Sequence, residues 1–267
     1  MSISISKTAD TVEFRNSSGQ FCGIYHYTDI YKSFFRGLFT PRGNDVVAPP
    51  APDHPHHKGL QFGLTTNKAN FWEEPGAAVP NPDLPFGEQH NIGLELLCSR
   101  EGIGFTQKLL WRVGPQPVFN ETRTISVNET TGSYVWTWHT KLTTACDGVQ
   151  ITKSVWNDPS YCRPDYGYCG LGLRLAPKYF ETGNVLPANP PCASTPEYVA
   201  FKGQGAQVSF KQAATPLNAL FVTTVDRKSP YGPDGPGFAF LGLVPIPREL
   251  TPDPTVEATY VITVSDI

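Results

Sequence analysis

Period-two alternation of apolar and polar residues runs through this chain from end to end, and it leaves little room for anything but β-strands. It recurs in SISISK, TVEFRN, GQFCGIYHY, GLQFGLT, NIGLELLCS, FTQKLLWRV, TRTISVN, YVWTWHTKL, VQITKSVW, GLGLRLA, AQVSFKQ, ALFVTTV, FAFLGLV and TYVITVS, about fourteen segments in all. No long segment carries a helical period, and 24 glycines and 26 prolines punctuate the runs with turns. The pattern predicts an all-β protein, a large two-sheet antiparallel β-sandwich. A length of 267 residues fits one such domain, so residues 1–267 are expected to form a single β-sandwich. Proline cannot donate to a sheet ladder, which makes the proline-rich stretches 47–55, 75–87 and 228–237 long loops, where function tends to gather.

Charge narrows the class of partner. A formal charge of -3 with 17% charged residues offers no basic stripe, which disfavours nucleic acid and anionic membrane and leaves a small, neutral or mildly polar molecule as the expected partner. The oligomeric state is left open. MSISISKTADTVEF has neither the charged start nor the apolar run of a secretion signal, and no apolar stretch is long enough to span a bilayer, so a soluble, cytoplasmic protein is expected. The six cysteines lie far apart without a CxxC pair and are expected to be free thiols, and the sequons at Asn16, Asn120 and Asn128 to be idle. No GxSxG elbow, P-loop or dinucleotide-binding fingerprint is present, which disfavours serine hydrolase, NTPase and nicotinamide chemistry.

The chemistry concentrates at PDHPHHKGLQFG, where Asp53, His54, His56 and His57 fall within five positions. A strand over 56–64 would turn His56, Lys58, Leu60, Phe62 and Leu64 to the core, and His57, Gly59, Gln61 and Gly63 to a shallow groove where a ligand approaches the backbone. Three readings stand side by side. Imidazoles near neutral pKa can exchange protons with a bound hydroxyl; His54, His56 and His57 can ligate a transition metal if a further ligand comes from elsewhere; or the cluster simply ties down a proline-stiffened loop. Trp72, followed by Glu73 and Glu74, suits ligand stacking beside a carboxylate as well as packing. Arg174, on the face of GLGLRLA opposite Leu171, Leu173 and Leu175, needs a substrate oxygen or a structural carboxylate. His139 reads as a half-exposed structural histidine, and Trp136 and Trp138 as core.

The stretch FFRGLFTPRGNDVVAPPAPDHPHHKGLQFGLTTNKANFWEE is similar to the N-terminal signature of a soluble family labelled "methane oxygenase PmoA", whose members carry a TP-x-G turn, then DHPHH-(R/K)-G-L-x-F-G, then N-x-x-(D/N)-F-W. Weaker likeness continues through ETRT at 121–124 and GLRLAP at 172–177. The methane-oxidising subunit of that name is a membrane protein, and this chain has no apolar spanning segment, so that activity does not carry over. The resemblance implies a galactose-mutarotase-like supersandwich that binds sugar-type ligands on the concave face of a large sheet. Asp53, His54, His56, His57, Lys58, Gly59, Phe71, Trp72 and Arg174 fall on matching positions, His90 corresponds to a histidine after the FW segment, and Asp165 is in register with an acidic residue. Arg36-Gly37 replaces an expected HP pair, Gly167-Tyr168-Cys169 replaces a Lys-Glu-Gly, and the usual Asn-Pro-Phe-Gly ending is not visible.

The leading expectation is a cofactor-independent isomerase, cyclase or lyase acting on a polyoxygenated small molecule, sugar-like or a secondary-metabolite intermediate. His57, His54, Arg174 and Asp165 would be catalytic, and Gln61, Trp72, Glu73, His90, Arg36 and Lys58 would bind substrate. The alternatives are a metal-dependent oxygenase built on His54, His56 and His57, with a divalent transition metal, and a non-catalytic carbohydrate-binding protein. The cluster offers no evident fourth ligand on a rigid element, so purified protein is expected to carry no stoichiometric transition metal. Elemental analysis finding about one metal per chain that resists dialysis would favour the oxygenase.

Overall fold

The computed structural model describes residues 3–50, 55–76, 84–99, 102–152, 170–176, 184–186, 198–214, 220–226, 238–244, 248–249 and 255–267. Among these there is no helix. Two eight-stranded antiparallel sheets pack together. The first runs β1 (Ser4–Lys7), β2 (Thr11–Arg15), β3 (Phe21–His26), β4 (Phe34–Leu38), β5 (Leu60–Gly63), β11 (Gly170–Leu175), β16 (Phe238–Val244), β15 (Leu220–Asp226). The second runs β12 (Asn184–Leu186), β13 (Tyr198–Gly203), β14 (Ala206–Ala214), β18 (Thr255–Asp266), β9 (Ser133–Thr144), β8 (Gln116–Thr130), β7 (Gly102–Val113), β6 (Glu88–Ser99). A short pair, β10 (Gln150–Ile151) with β17 (Arg248–Glu249), stands apart.

Every alternating segment of the sequence meets a strand, with residues 153–156 of VQITKSVW outside the described residues; in β7, β8, β9 and β18 buried and more exposed side chains alternate as one face packs on the core. Strands β4, β12, β13 and β17 are additional. The first of these, FFRGL, escapes the pattern because it is buried on both faces except at Arg36. The aromatic core lies between the sheets: Phe14 and Phe35 each meet Trp136 at 4.9 Å between ring centroids, Tyr25 meets Phe105 at 4.8 Å, and Phe62 meets Trp111 at 6.0 Å. Trp136 and Trp138 are core residues. His139 is half-exposed and bonds Glu257 across the strand pair at 2.9 Å, as expected for a structural histidine.

Within this apolar layer sits a buried polar network carried by ETRT. Arg123 donates to both carboxylate oxygens of Glu121 at 2.8 Å, to the Tyr25 hydroxyl at 2.9 Å and to Gln89 at 3.3 Å. Glu121 also accepts from the Trp111 indole at 2.7 Å and from Thr140 at 2.5 Å. Burial by itself would lower the Arg123 pKa, but the Glu121 charge and the Tyr25 hydroxyl outweigh it and hold the guanidinium firmly protonated. Removing one partner strands the other charge in the core, so Arg123→Met is expected to cost about 3–5 kcal/mol, read as a fall in the urea midpoint.

Candidate functional site

Strand β5 is short, and its four residues are all buried. Leu60 and Phe62 face the core, while Gln61, between Phe34 of β4 and Gly172 of β11, faces away from it. That much agrees with the alternation. The strand, however, covers 60–63 and not 56–64. Gly59 breaks it with φ of 119°, a conformation in which a Cβ would lie 2.1 Å from the Phe35 carbonyl oxygen. His56 and His57 are therefore loop residues. Their rings touch edge to face at 4.3 Å, which neighbours in a strand cannot do because they point to opposite sides.

The expected groove is filled by the chain itself. A Cβ on Gly63 would lie 2.4 Å from the carbonyl oxygen of Phe71, so this glycine admits protein backbone where a ligand was expected. The covering segment is shaped by side-chain capping. Asn70 Oδ1 accepts from the amides of Trp72 at 2.9 Å and Glu73 at 3.0 Å, and Asn70 Nδ2 donates to the Glu73 carboxylate. Phe71 N donates to Leu64 O at 2.9 Å, which fixes the segment over β5. His57 is thus fully buried, 5.9 Å from the Trp72 ring, and not a surface residue.

The result is a cluster of buried polar groups, His56, His57, Gln61, Glu73 and Glu74, with Trp72 against the His57 ring. Lys58 Nζ bridges Asp29 at 2.5 Å and Glu74 at 2.7 Å. Asp29 is partly buried, which would raise its pKa; the hydrogen bond and charge of Lys58 and the amides of Tyr31 and Lys32 reverse this and hold the carboxyl below its ordinary value. Gln61 Oε1 accepts from Lys58 N at 3.0 Å, while its Nε2 has no hydrogen-bond partner among the described residues. Arg174 is buried on the same outer face, two residues along from the Gly172 that pairs with Gln61, and its amide donates to Gly59 O at 3.4 Å.

Other expected site residues lie elsewhere. His90 is on the outer face of the second sheet, where its Nε2 meets Glu88 at 2.5 Å and Arg112 meets the same carboxylate at 3.2 Å. Arg36 is exposed on β4, on the outer face that it shares with Phe34. Asp53, His54 and Asp165 fall outside the described residues. Among the described residues no group of three or more His, Cys, Asp or Glu side chains is placed to hold a metal ion, and no helix is long and apolar enough to cross a membrane.

Residues 15–266 match the model of a Family of unknown function (DUF6807). The chain belongs to that family. The match lends nothing to the label "methane oxygenase PmoA" suggested by the DHPHH signature. No curated protein matches the chain. Among solved structures, the chain is similar to a galactose mutarotase-like protein from Lactobacillus casei ATCC 334, at 7% identity and a TM-score of 0.35 over 98% of this chain and 100% of that one. It is also similar to the Slr1438 protein from Synechocystis sp. PCC 6803, at 11% identity and a TM-score of 0.36 over 100% of this chain and 96% of that one. Neither likeness bears on activity.

Sequence patterns gave no hint of two members of the cluster. Asp29 and Lys32 sit in a non-alternating segment, YTDIYKS, and the only local signal is the Asx turn in which Asp29 Oδ1 accepts from Tyr31 N at 2.9 Å. Because His57 fills space between His56 and Trp72, His57→Ala is expected to destabilise the protein by about 1–3 kcal/mol in urea unfolding, not to leave it unaffected. A loss under about 0.5 kcal/mol would return His57 to the surface.

Proposed function

We propose that the protein is a non-redox, cofactor-independent enzyme of the isomerase, cyclase or lyase kind, acting by acid/base transfer on a sugar-like, polyoxygenated small molecule. The observation that carries this reading is the burial of two touching imidazoles beside Trp72, on a loop whose next residue, Lys58, donates its amide to a buried Gln61 whose Nε2 has no partner among the described residues. Buried donors are normally satisfied, so a hydroxyl or carbonyl oxygen of a ligand is a natural partner for that amide.

In this reading His57 moves the proton. An imidazole suits the task because its ordinary pKa lies near neutrality, and a water-poor setting strengthens each hydrogen bond that it makes. Trp72 backs the ring and fixes its orientation. Arg174, on the same outer face as Gln61, supplies positive charge for an oxygen that becomes negative when a neighbouring C–H or O–H bond gives up its proton. His54 and Asp165 are further candidates for the second proton-transfer group. Lys58 is already engaged by two carboxylates and acts as scaffold.

That same engagement favours one second reading, a carbohydrate-binding protein without turnover, since ion pairs that neutralise one another need no chemistry. Proton NMR in D2O over a panel of aldoses, ketoses, sugar lactones and sugar acids separates the two. Interconversion, or deuterium wash-in at a substrate C–H, is expected for at least one compound, and His57→Gln should slow it by about 10²–10⁴-fold. Saturable binding with no conversion would establish the binding protein, and neither binding nor conversion across the panel would remove both readings.

A further inference from the structure

The geometry points to Lys32 as a positioning residue that holds the His57 ring against Trp72 by binding the main-chain carbonyls of His56 and Trp72 with one buried ammonium. The inference rests on the reading of His57 as the proton-transfer group.

Lys32 has no exposed surface, yet it is not on a strand. Its Nζ donates to His56 O at 3.3 Å and to Trp72 O. These carbonyls belong to separate irregular segments, 16 residues apart in the chain by their numbers. A buried peptide carbonyl outside a ladder needs a donor from somewhere. An ammonium carries three donors and no acceptor, so one lysine can satisfy both carbonyls and thereby fix the distance between the two segments. The residues whose rings meet at 5.9 Å, His57 and Trp72, are those carried by the two clamped stretches.

The clamp has a rigid base. Asp29 Oδ1 accepts from Lys32 N at 3.3 Å and from Tyr31 N at 2.9 Å, which fixes the turn from which Lys32 projects. The next residue, Ser33, is tied to the other sheet, because Gln107 Nε2 donates to its hydroxyl at 3.1 Å. Ser33 also donates to Tyr27 O at 3.4 Å. The main chain at 32–33 is thus anchored on both sides, with one side chain in the inter-sheet network and the other under the histidine loop. The ammonium lies 6.0 Å from the centre of the Trp72 ring, near enough to be drawn to its face. Burial pulls the Lys32 pKa down to about 8; the Glu74, Glu73 and Asp29 carboxylates oppose this, and Lys58 adds to it.

Lys32→Met keeps the aliphatic stem and removes the charge and all three donors. In isotope-labelled protein the nuclear Overhauser contact between the His57 and Trp72 rings should be lost in this variant. The Trp111 indole N–H resonance, which reports the bond to Glu121 inside the sandwich, should keep its position. A folded variant that retains the His57–Trp72 contact would overturn the proposal, as would one in which the Trp111 signal moves equally, because Lys32 would then serve the fold as a whole. Should Lys32→Met fail to fold, the unaltered protein decides: hydrogen-bond scalar coupling is expected from Lys32 ¹⁵Nζ to the carbonyl carbons of both His56 and Trp72, and coupling to one or neither would sink the clamp. Neither measurement needs a ligand, so a protein that shows the clamp but converts nothing would overturn the proposed activity and leave the geometry standing.

Discussion

Arg123 lies between the two sheets with no exposed surface, and its guanidinium is shared among Glu121, Tyr25 and Gln89. A bare guanidinium there would be ruinous; a bidentate carboxylate and a hydroxyl make it tolerable and give it direction. The consequence reaches beyond the pair. Gln89, held by Arg123, donates its own amide to Phe62 O at 2.9 Å, and Phe62 is the core-facing neighbour of Gln61. Gln107, bonded to the Tyr25 hydroxyl at 2.7 Å, also holds Ser33, the neighbour of Lys32. The inter-sheet network therefore fixes two strips of backbone, at Phe62 and Ser33, whose neighbours Gln61 and Lys32 belong to the buried polar cluster.

That cluster obeys a different constraint. Because β5 is buried on both faces, whatever lies over its outer side must bring its own hydrogen-bond partners. Asn70 closes the turn that carries Trp72 and Glu73, Asp29 closes the turn that carries Lys32, and Lys58 joins Asp29 to Glu74. Charges are brought in as opposed pairs, and glycines are placed where backbone must touch backbone: Gly59 against Phe35 and Gly63 against Phe71. These close approaches turn a strand face that alternation reads as open into the floor of a buried polar cluster.

The sequence made much of the fold legible because burying one face of a strand leaves a two-residue period in the order of side chains. All fourteen alternating segments meet strands, Trp136 and Trp138 are core, Gln61 points away from Leu60 and Phe62, and His139 is a half-exposed structural residue. The same rule misled at β4, where Phe34 and Phe35 stand side by side and put apolar side chains on both faces, so that no alternation is left to see. It also misled at 56–59, where Gly59 leaves the extended conformation and the parity of faces stops.

By itself, then, the amino-acid order determined the class of fold, the places of most strands and the residue types available for chemistry, since these depend on local periodicity and composition. It also carried the resemblance that flagged His56, His57, Trp72 and Arg174. Tertiary structure alone decided which of them meet. His57 and Trp72 are brought together by a segment folding back over β5, Asp29 and Lys32 enter the cluster from a stretch with no pattern of its own, and His90 turns to the opposite side of the sandwich. The physical reason is that such neighbours are set by long-range packing and by hydrogen bonds between chain segments far apart in sequence, and neither leaves a period behind.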